Sequence, residues 1–104
     1  MLTTLILAGV ASFVISVAVH FILLHWQEIL NWFNNWINSH QNVDKDAIGF
    51  TIREAIGKGQ YRTVQGVFNK STNTVEDARR IKADNVDAAV KEQCFGKEKV
   101  TLFT

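Results

Sequence analysis

The chain has 104 residues, 47% of them hydrophobic, and a formal net charge of +1. Such a near-neutral chain lacks the basic excess that general nucleic-acid binding needs, so we expect no nucleic-acid partner. Its one cysteine, Cys94, excludes an intramolecular disulfide, and the three histidines are too far from it in sequence to suggest a zinc site. We expect no metal, and we expect Cys94 to pack as a small apolar residue on a helix face.

The N-terminal segment, residues 1–24, contains no Asp, Glu, Lys or Arg. As a helix rising about 1.5 Å per residue, Thr4 to Leu24 would cross the roughly 30 Å hydrocarbon layer of a bilayer. We therefore predict a single transmembrane helix. A cleaved signal peptide, the main alternative, would begin with basic residues and have a shorter apolar core. A buried helix of a soluble protein is the other alternative.

Basic residues near the two ends of this segment indicate its orientation. None precedes the apolar run, whereas Lys45 and Arg53 follow it. Because basic residues favour the cytoplasmic side, we predict an integral membrane protein with an external N-terminus and a cytoplasmic C-terminal domain.

Small residues recur at every fourth position of the predicted helix and end in a histidine. On a helix such a row forms one ridge, which allows close contact with other membrane helices. We predict helix packing through this ridge, against other subunits or copies of the chain. Its members are Thr4, Ala8, Ser12, Ser16 and His20, with Gly9 beside Ala8.

His20 is a candidate functional residue because ionisable side chains are costly inside a membrane. The favoured interpretation is a hydrogen bond between helices. The polar stripe Ser12, Ser16 and His20 would alternatively line the pore of a homo-oligomeric channel. His20, with small Ser16 four residues before it and Trp26 after it, also resembles short light-harvesting polypeptides. That resemblance implies a pigment on His20. An intramembrane histidine could also bind haem or relay protons; otherwise we expect no cofactor.

Residues 25–40 continue without Gly or Pro and have the periodicity of an amphipathic helix. All three tryptophans of the chain lie here, directly after the apolar run. Tryptophan favours the membrane–water interface and is also a frequent anchor in protein contacts. We predict an interfacial helix in the lipid bilayer surface, or a partner-binding face. Its candidate residues are Trp26, Trp32, Phe33 and Trp36.

Residues 41–104 are predicted to form a small soluble α-β-β-α-β domain, so that the fold class is α+β. The first helix would be capped by Asp44 or Asp46, carry Ile48, Ile52, Ala55 and Ile56, and end at Gly57 and Gly59. Strands are predicted over Gln60 to Asn69 and over Val75 to Ala83, the latter at an edge or facing solvent. A helix capped by Asp84 or Asn85 and a final strand from Lys99 to Phe103 follow.

The basic cluster Arg79, Arg80 and Lys82 is predicted to be a solvated strand face, because acidic residues flank it. No histidine follows His40, so a catalytic Ser/His/Asp arrangement is missing from the predicted domain. We predict that the chain is not an enzyme. The favoured function is a single-pass membrane accessory or structural subunit that docks its domain on a partner complex or on copies of itself.

Overall fold

The structure is a computed structural model that describes residues 2–57 and 60–104. Within these residues the chain forms a mixed α+β fold with three α-helices and a five-stranded sheet. A short 3-10 helix, Gln41–Asp46, precedes the second strand. The elements in chain order are α1 (Leu2–Ser12), β1 (Ala18–Leu24), α2 (Trp26–Ser39), β2 (Ala47–Gly57), β3 (Gln60–Asn69), β4 (Thr74–Val86), α3 (Ala88–Cys94) and β5 (Val100–Phe103).

The strand order across the sheet is β1-β4-β3-β2-β5. Strands β2, β3 and β4 are consecutive antiparallel neighbours, and β5 adds antiparallel to β2. Asn73, in the turn between β3 and β4, has a φ of 57°, a left-handed conformation that asparagine tolerates better than most residues. Strand β1 pairs parallel to β4, so the N-terminal segment is part of the sheet.

Helices cover the two faces of the sheet unequally. Helix α1 packs on one face through Ile6, which is fully buried against Phe50, Val64 and Phe68. Helices α2 and α3 lie on the opposite face, where Ile29 of α2 and Val90 of α3 join the same apolar cluster. The face that α1 occupies is therefore only partly covered.

Two glycines allow close packing on the α1 face. A Cβ on Gly9 would lie 2.8 Å from Cγ2 of Val75, so glycine lets α1 approach β4. A Cβ on Gly66 would lie 2.6 Å from the carbonyl oxygen of Asp77 and would run into the Phe50 ring. Phe50 is fully buried over β3 because position 66 has no side chain.

A buried polar network lies beneath α2. Gln65 donates from Nε2 to the carbonyl oxygen of Ile29 at 2.6 Å and accepts from Nε of Arg79 at 3.0 Å. The Arg79 guanidinium lies 5.1 Å from the centre of the Trp32 ring. Burial lowers the pKa of Arg79, and the Glu28 carboxylate opposes this effect. These contacts fix α2 on the sheet by directional bonds as well as by apolar packing.

The predicted helix over residues 4–24 is wrong in this structure. Its first half is α1, and residues 13–17 lead to its second half, β1. Among the described residues no helix combines the length and the apolar character needed to cross a membrane. The physical reason is that an uninterrupted apolar run has no distinctive period, so a helix and a strand are equally compatible with it. Valine, isoleucine and phenylalanine in β1 suit a strand, and β4 provides its partner.

The predicted helix after residue 44 is also wrong, because residues 47–57 form β2. Ile48, Phe50 and Ile52 alternate along β2 and pack on one face, a period of two that the helical interpretation overlooked. Lys58 and Gly59, at the predicted end of that helix, lie outside the described residues.

The later elements agree better with prediction. The first predicted strand has the bounds of β3, and Val64 and Phe68 pack on the opposite face from Val67. The second predicted strand is confirmed as β4, but it is an interior strand and not an edge. The last helix is capped by Asp87, and not by Asp84 or Asn85.

Candidate functional site: the open sheet face and the β1 edge

The part of the sheet face that α1 leaves uncovered carries polar and charged side chains; we call it the open face. It is built from the alternate residues of β1, β4 and β3 that share this side, as the strand register shows by pairing Ala18 with Arg80 and Lys82 with both His20 and Arg62. The open face comprises Ala18, His20, Ile22, Glu54, Arg62, Arg80, Lys82 and Asp84.

One ion pair and one histidine–carboxylate hydrogen bond lie on the open face. Arg80 donates from Nη1 to Oε2 of Glu54 at 2.7 Å, and Nε2 of His20 lies 2.9 Å from Oδ1 of Asp84. All four side chains are at least one third exposed, so we expect each pair to stabilise the fold by about 1 kcal/mol or less. Their main effect is to orient the four side chains.

Arg62 and Lys82 face each other directly across β3 and β4. Like charges at opposed positions of an antiparallel pair are destabilising. Arg62 donates from Nη2 to the side chain of Gln60 at 3.3 Å, which brings no compensating charge. Among the carboxylate side chains that the structure describes, none lies within ion-pair distance of either cation.

A cleft of ≈390 Å³ opens at this point of the face. Three cations and one carboxylate border it, so that two positive charges remain after the pairing of Arg80 with Glu54. Its lining on the open face consists of Ala18, Glu54, Arg62, Arg80 and Lys82.

Strand β1 forms one edge of the sheet, because among the described strands only β4 pairs with it. Ile22 is 78% exposed and Leu23 is 43% exposed. The segment leading into β1 adds Val14, which is 85% exposed, and Val17, which is half exposed. Exposed apolar side chains therefore lie just before β1 and near its end.

The predicted helix-packing residues do not form one ridge. Thr4, Ala8, Gly9 and Ser12 lie on α1, whereas Ser16 is in the connection and His20 is on β1. The predicted pore stripe therefore combines a helix, a connection and a strand, and the helical face that a pore would require is missing from the described structure. Thr4, Ala8 and Ser12 are exposed, and Gly9 contacts β4.

The four aromatic residues predicted as an interface lie on α2, and the amphipathic helix itself is confirmed. Phe33 and Trp36 are buried in the chain's own core. Trp26 and Trp32 are half-buried; the Trp26 ring meets Phe103 edge-to-face at 5.4 Å. Most of the apolar face of α2 therefore packs against the sheet of the same chain.

His20 lies on the open face, and its Nε2 atom is engaged by Asp84. Pigment or haem ligation by His20 stays a prediction. The predicted basic cluster is divided by the strand alternation: Arg80 is exposed and Lys82 half-exposed, as predicted, but Arg79 is buried on the opposite face. Alternation along β4 was the signal that could have separated them.

Sequence reasoning missed Arg62 and Glu54 as parts of a site. Arg62 lies in a correctly predicted strand, and its position two residues before Val64 places it on the same face. Glu54 was assigned to a helix, which hid its approach to Arg80. Comparison of the chain with protein families, curated proteins and solved structures finds no match.

Proposed function

We propose that this chain is a non-enzymatic structural protein that assembles with a second copy of itself through the β1 edge. The observation that carries the proposal is an apolar edge strand of seven residues without any Asp, Glu, Lys or Arg. An edge strand presents N–H and C=O groups to any strand of matching direction. Most proteins protect such edges with charges, proline or bulges, and β1 has no charged or proline residue.

The other edge of the sheet is a useful contrast. Strand β5 has only four residues, and Lys97, Glu98 and Lys99 precede it. A short strand next to charged residues is a protected edge. Head-to-tail association, in which β1 of one copy would pair with β5 of the next, is therefore disfavoured relative to pairing of β1 with itself.

A second copy fits the β1 edge for reasons of charge and symmetry. A two-fold axis brings the same strand to both sides of the interface, so any formal charge would oppose itself. Because β1 contains no Asp, Glu, Lys or Arg, it avoids this repulsion between copies. A second copy of the chain can therefore pair with β1 without repulsion between like charges.

The expected dimer has an antiparallel β1–β1 junction with its two-fold axis perpendicular to the sheet. This axis joins two five-stranded sheets into one and keeps α2 and α3 of both copies on the same side. The junction covers Ile22 and Leu23 and satisfies the outward backbone groups of β1. Pairing of short strands buries less than about 1,200 Å², which is typical of weak association.

Sedimentation velocity across a range of protein concentrations tests the proposal. We expect wild-type protein to shift from monomer to dimer as concentration rises, because the interface is small. Ile22→Lys places a charge beside its own copy at the junction and should remain monomeric. Leu102→Lys is the matched control, since Leu102 is an exposed apolar residue on the opposite edge. Equal loss of the dimer in both variants, or a monomer throughout, would contradict the proposal.

Membrane attachment through the uncharged N-terminal run stays a separate prediction. Its support is the sequence, together with the exposed apolar side chains of Val14, Val17 and Ile22. Alkaline carbonate washing of membranes from cells that produce the chain tests it: an attached accessory subunit stays in the pellet, and an unattached chain is released.

A further inference from the structure

The cleft on the open face holds an arrangement of charges that folding alone does not explain. Arg62 and Lys82 lie opposite each other in the β3–β4 register, at a spacing of about 5 Å between Cα atoms for such pairs. Like charges at directly opposed positions of an antiparallel pair destabilise the sheet. A negatively charged ligand placed between Arg62 and Lys82 would attract both cations and offset their mutual repulsion.

The neighbouring side-chain contacts leave these two cations available. Glu54 neutralises Arg80 at 2.7 Å, and Asp84 is engaged by His20 at 2.9 Å. The carboxylates of the open face are therefore directed to other partners. In the part of the chain that the structure describes, the positive charge of the cleft is concentrated on Arg62 and Lys82.

From this geometry we propose that the cleft binds the phosphate group of a small phosphate monoester or of a lipid headgroup. A phosphate dianion matches both cations, whereas a carboxylate would neutralise only one of them. The guanidinium of Arg62 offers paired N–H donors to phosphate oxygens, and the Lys82 ammonium adds a point charge. A cleft of ≈390 Å³ has the size of a small-molecule site.

A nucleic-acid strand is a poorer ligand for this surface. The formal net charge of the chain is only +1, and binding along a polyphosphate backbone requires an extended basic surface. On the open face Glu54 pairs with Arg80 and Asp84 contacts His20, so Arg62 and Lys82 form the local excess of positive charge. It therefore fits one phosphate group and not a row of them.

The phosphate site and the proposed self-association depend on different side chains. The phosphate site depends on the charges of Arg62 on β3 and Lys82 on β4, and β1 adds only apolar lining to the cleft. The dimer depends on the outward backbone groups and the exposed apolar side chains of β1. Binding is measured at concentrations where wild-type protein is monomeric, so failure of one proposal leaves the other standing.

The test is to titrate the wild-type protein with inorganic phosphate and to monitor the binding by NMR chemical shifts. Ionic strength is held constant, and chloride serves as the reference anion. We expect saturable shifts at residues lining the cleft. Arg62→Gln and Lys82→Gln should each weaken binding about tenfold, the effect of losing one charge-assisted hydrogen bond. Lys70→Gln is the matched control, because Lys70 is an exposed residue in the β3–β4 turn and the charge change is equal.

A second arm distinguishes the source of the phosphate. Wild-type protein is sedimented with phosphatidylcholine vesicles, with and without phosphatidic acid. Binding of inorganic phosphate supports a soluble ligand. Binding only to vesicles that contain phosphatidic acid, lost in Arg62→Gln and Lys82→Gln, supports a headgroup. Neither form of binding, or equal weakening in Lys70→Gln, would overturn the proposal.

Urea unfolding of the same variants provides a fold control with a predicted sign. Lys82→Gln and Arg62→Gln remove the repulsion between two exposed cations, so neither should lower the unfolding midpoint and either should raise it slightly. A variant that loses phosphate binding while keeping or gaining stability supports a ligand site. A fall in the midpoint that accompanies the loss of binding would indicate a structural role and overturn the proposal.

Discussion

Asp87 connects the beginnings of two helices, and its replacement should destabilise both. Its Oδ1 atom accepts from the backbone N–H of Val90 at 2.8 Å and caps α3, while Oδ2 accepts from the N–H of Trp26 at 3.1 Å, at the start of α2. Loss of an N-cap typically destabilises a protein by about 1 kcal/mol. Loss of a further hydrogen bond adds about 0.5–1.5 kcal/mol. Asp87→Ala should therefore lower the free energy of unfolding by about 2 kcal/mol.

Asp87→Asn is the informative control for this prediction. Asparagine caps helices about as well as aspartate, but its single amide oxygen can replace only one of Oδ1 and Oδ2, which accept from different N–H groups. Its stability should lie between those of wild-type protein and Asp87→Ala. Urea unfolding followed by tryptophan fluorescence measures all three, and the slope with urea should stay constant. Equal stability of the two variants would refute the double role of the carboxylate.

The same carboxylate predicts a dependence on pH. The hydrogen bond from the Val90 N–H lowers the pKa of Asp87, burial opposes this, and the Trp26 N–H and His25 lower it further. A lowered pKa means that the stabilisation is complete above the ordinary aspartate pKa and is lost as pH falls through the folded value. The stability difference between wild-type protein and Asp87→Asn should therefore shrink on acidification below about pH 4. A difference that stays constant down to pH 2 would contradict this assignment.

Three further predictions concern the core. Gly66→Ala should lower the free energy of unfolding by about 1–3 kcal/mol, because the added methyl has no space beside Phe50; an unchanged urea midpoint would contradict the packing. Gln65→Leu should lower it by about 1–3 kcal/mol, since Arg79 loses a buried partner, and Arg79→Met in the same chain should recover part of the loss in the same assay. Burial raises the pKa of Cys94 to about 11, so at pH 8 its thiol should react with a thiol reagent only as urea unfolds the chain; rapid reaction of folded protein would be inconsistent with this burial.

The elements that sequence reasoning predicted well are those with a distinctive local pattern. Strand β3 has branched and aromatic residues bounded by turn residues, and α2 has a clear period of 3.6 with apolar residues on one side. Cys94 was predicted to pack on a helix face, and it is buried on α3. In each case the local preference and the tertiary environment agree.

The prediction for the N-terminal segment was wrong for the opposite reason. A run that is apolar at every position has no period, and its length suggested a membrane span. The choice between helix and strand is made by β4, which lies far away in the sequence and pairs with Ala18 to Leu24. Strand β4 was predicted at an edge or facing solvent. It is an interior strand on which Arg80 and Asp84 are exposed, whereas Arg79 is buried by a contact with Gln65 that only the fold brings about.

The candidate site was hidden by these errors. The cleft requires β1, β4 and β3 to be neighbours, and none of these pairings is evident from local sequence. Arg62 and Lys82 become a site only when their register is known. The ridge that was predicted to end in His20 is not a site in the structure, because its members are distributed over a helix, a connection and a strand.

The most direct test of the central claim is amide hydrogen exchange along β1 at low and high protein concentration. In the parallel pairing with β4, alternate residues of β1 direct their backbone groups away from the sheet. Self-association through this edge predicts that these outward amides exchange freely in dilute protein and become protected as concentration rises. Rapid exchange of the same amides at every concentration, with the amides of β3 protected throughout, would contradict the account.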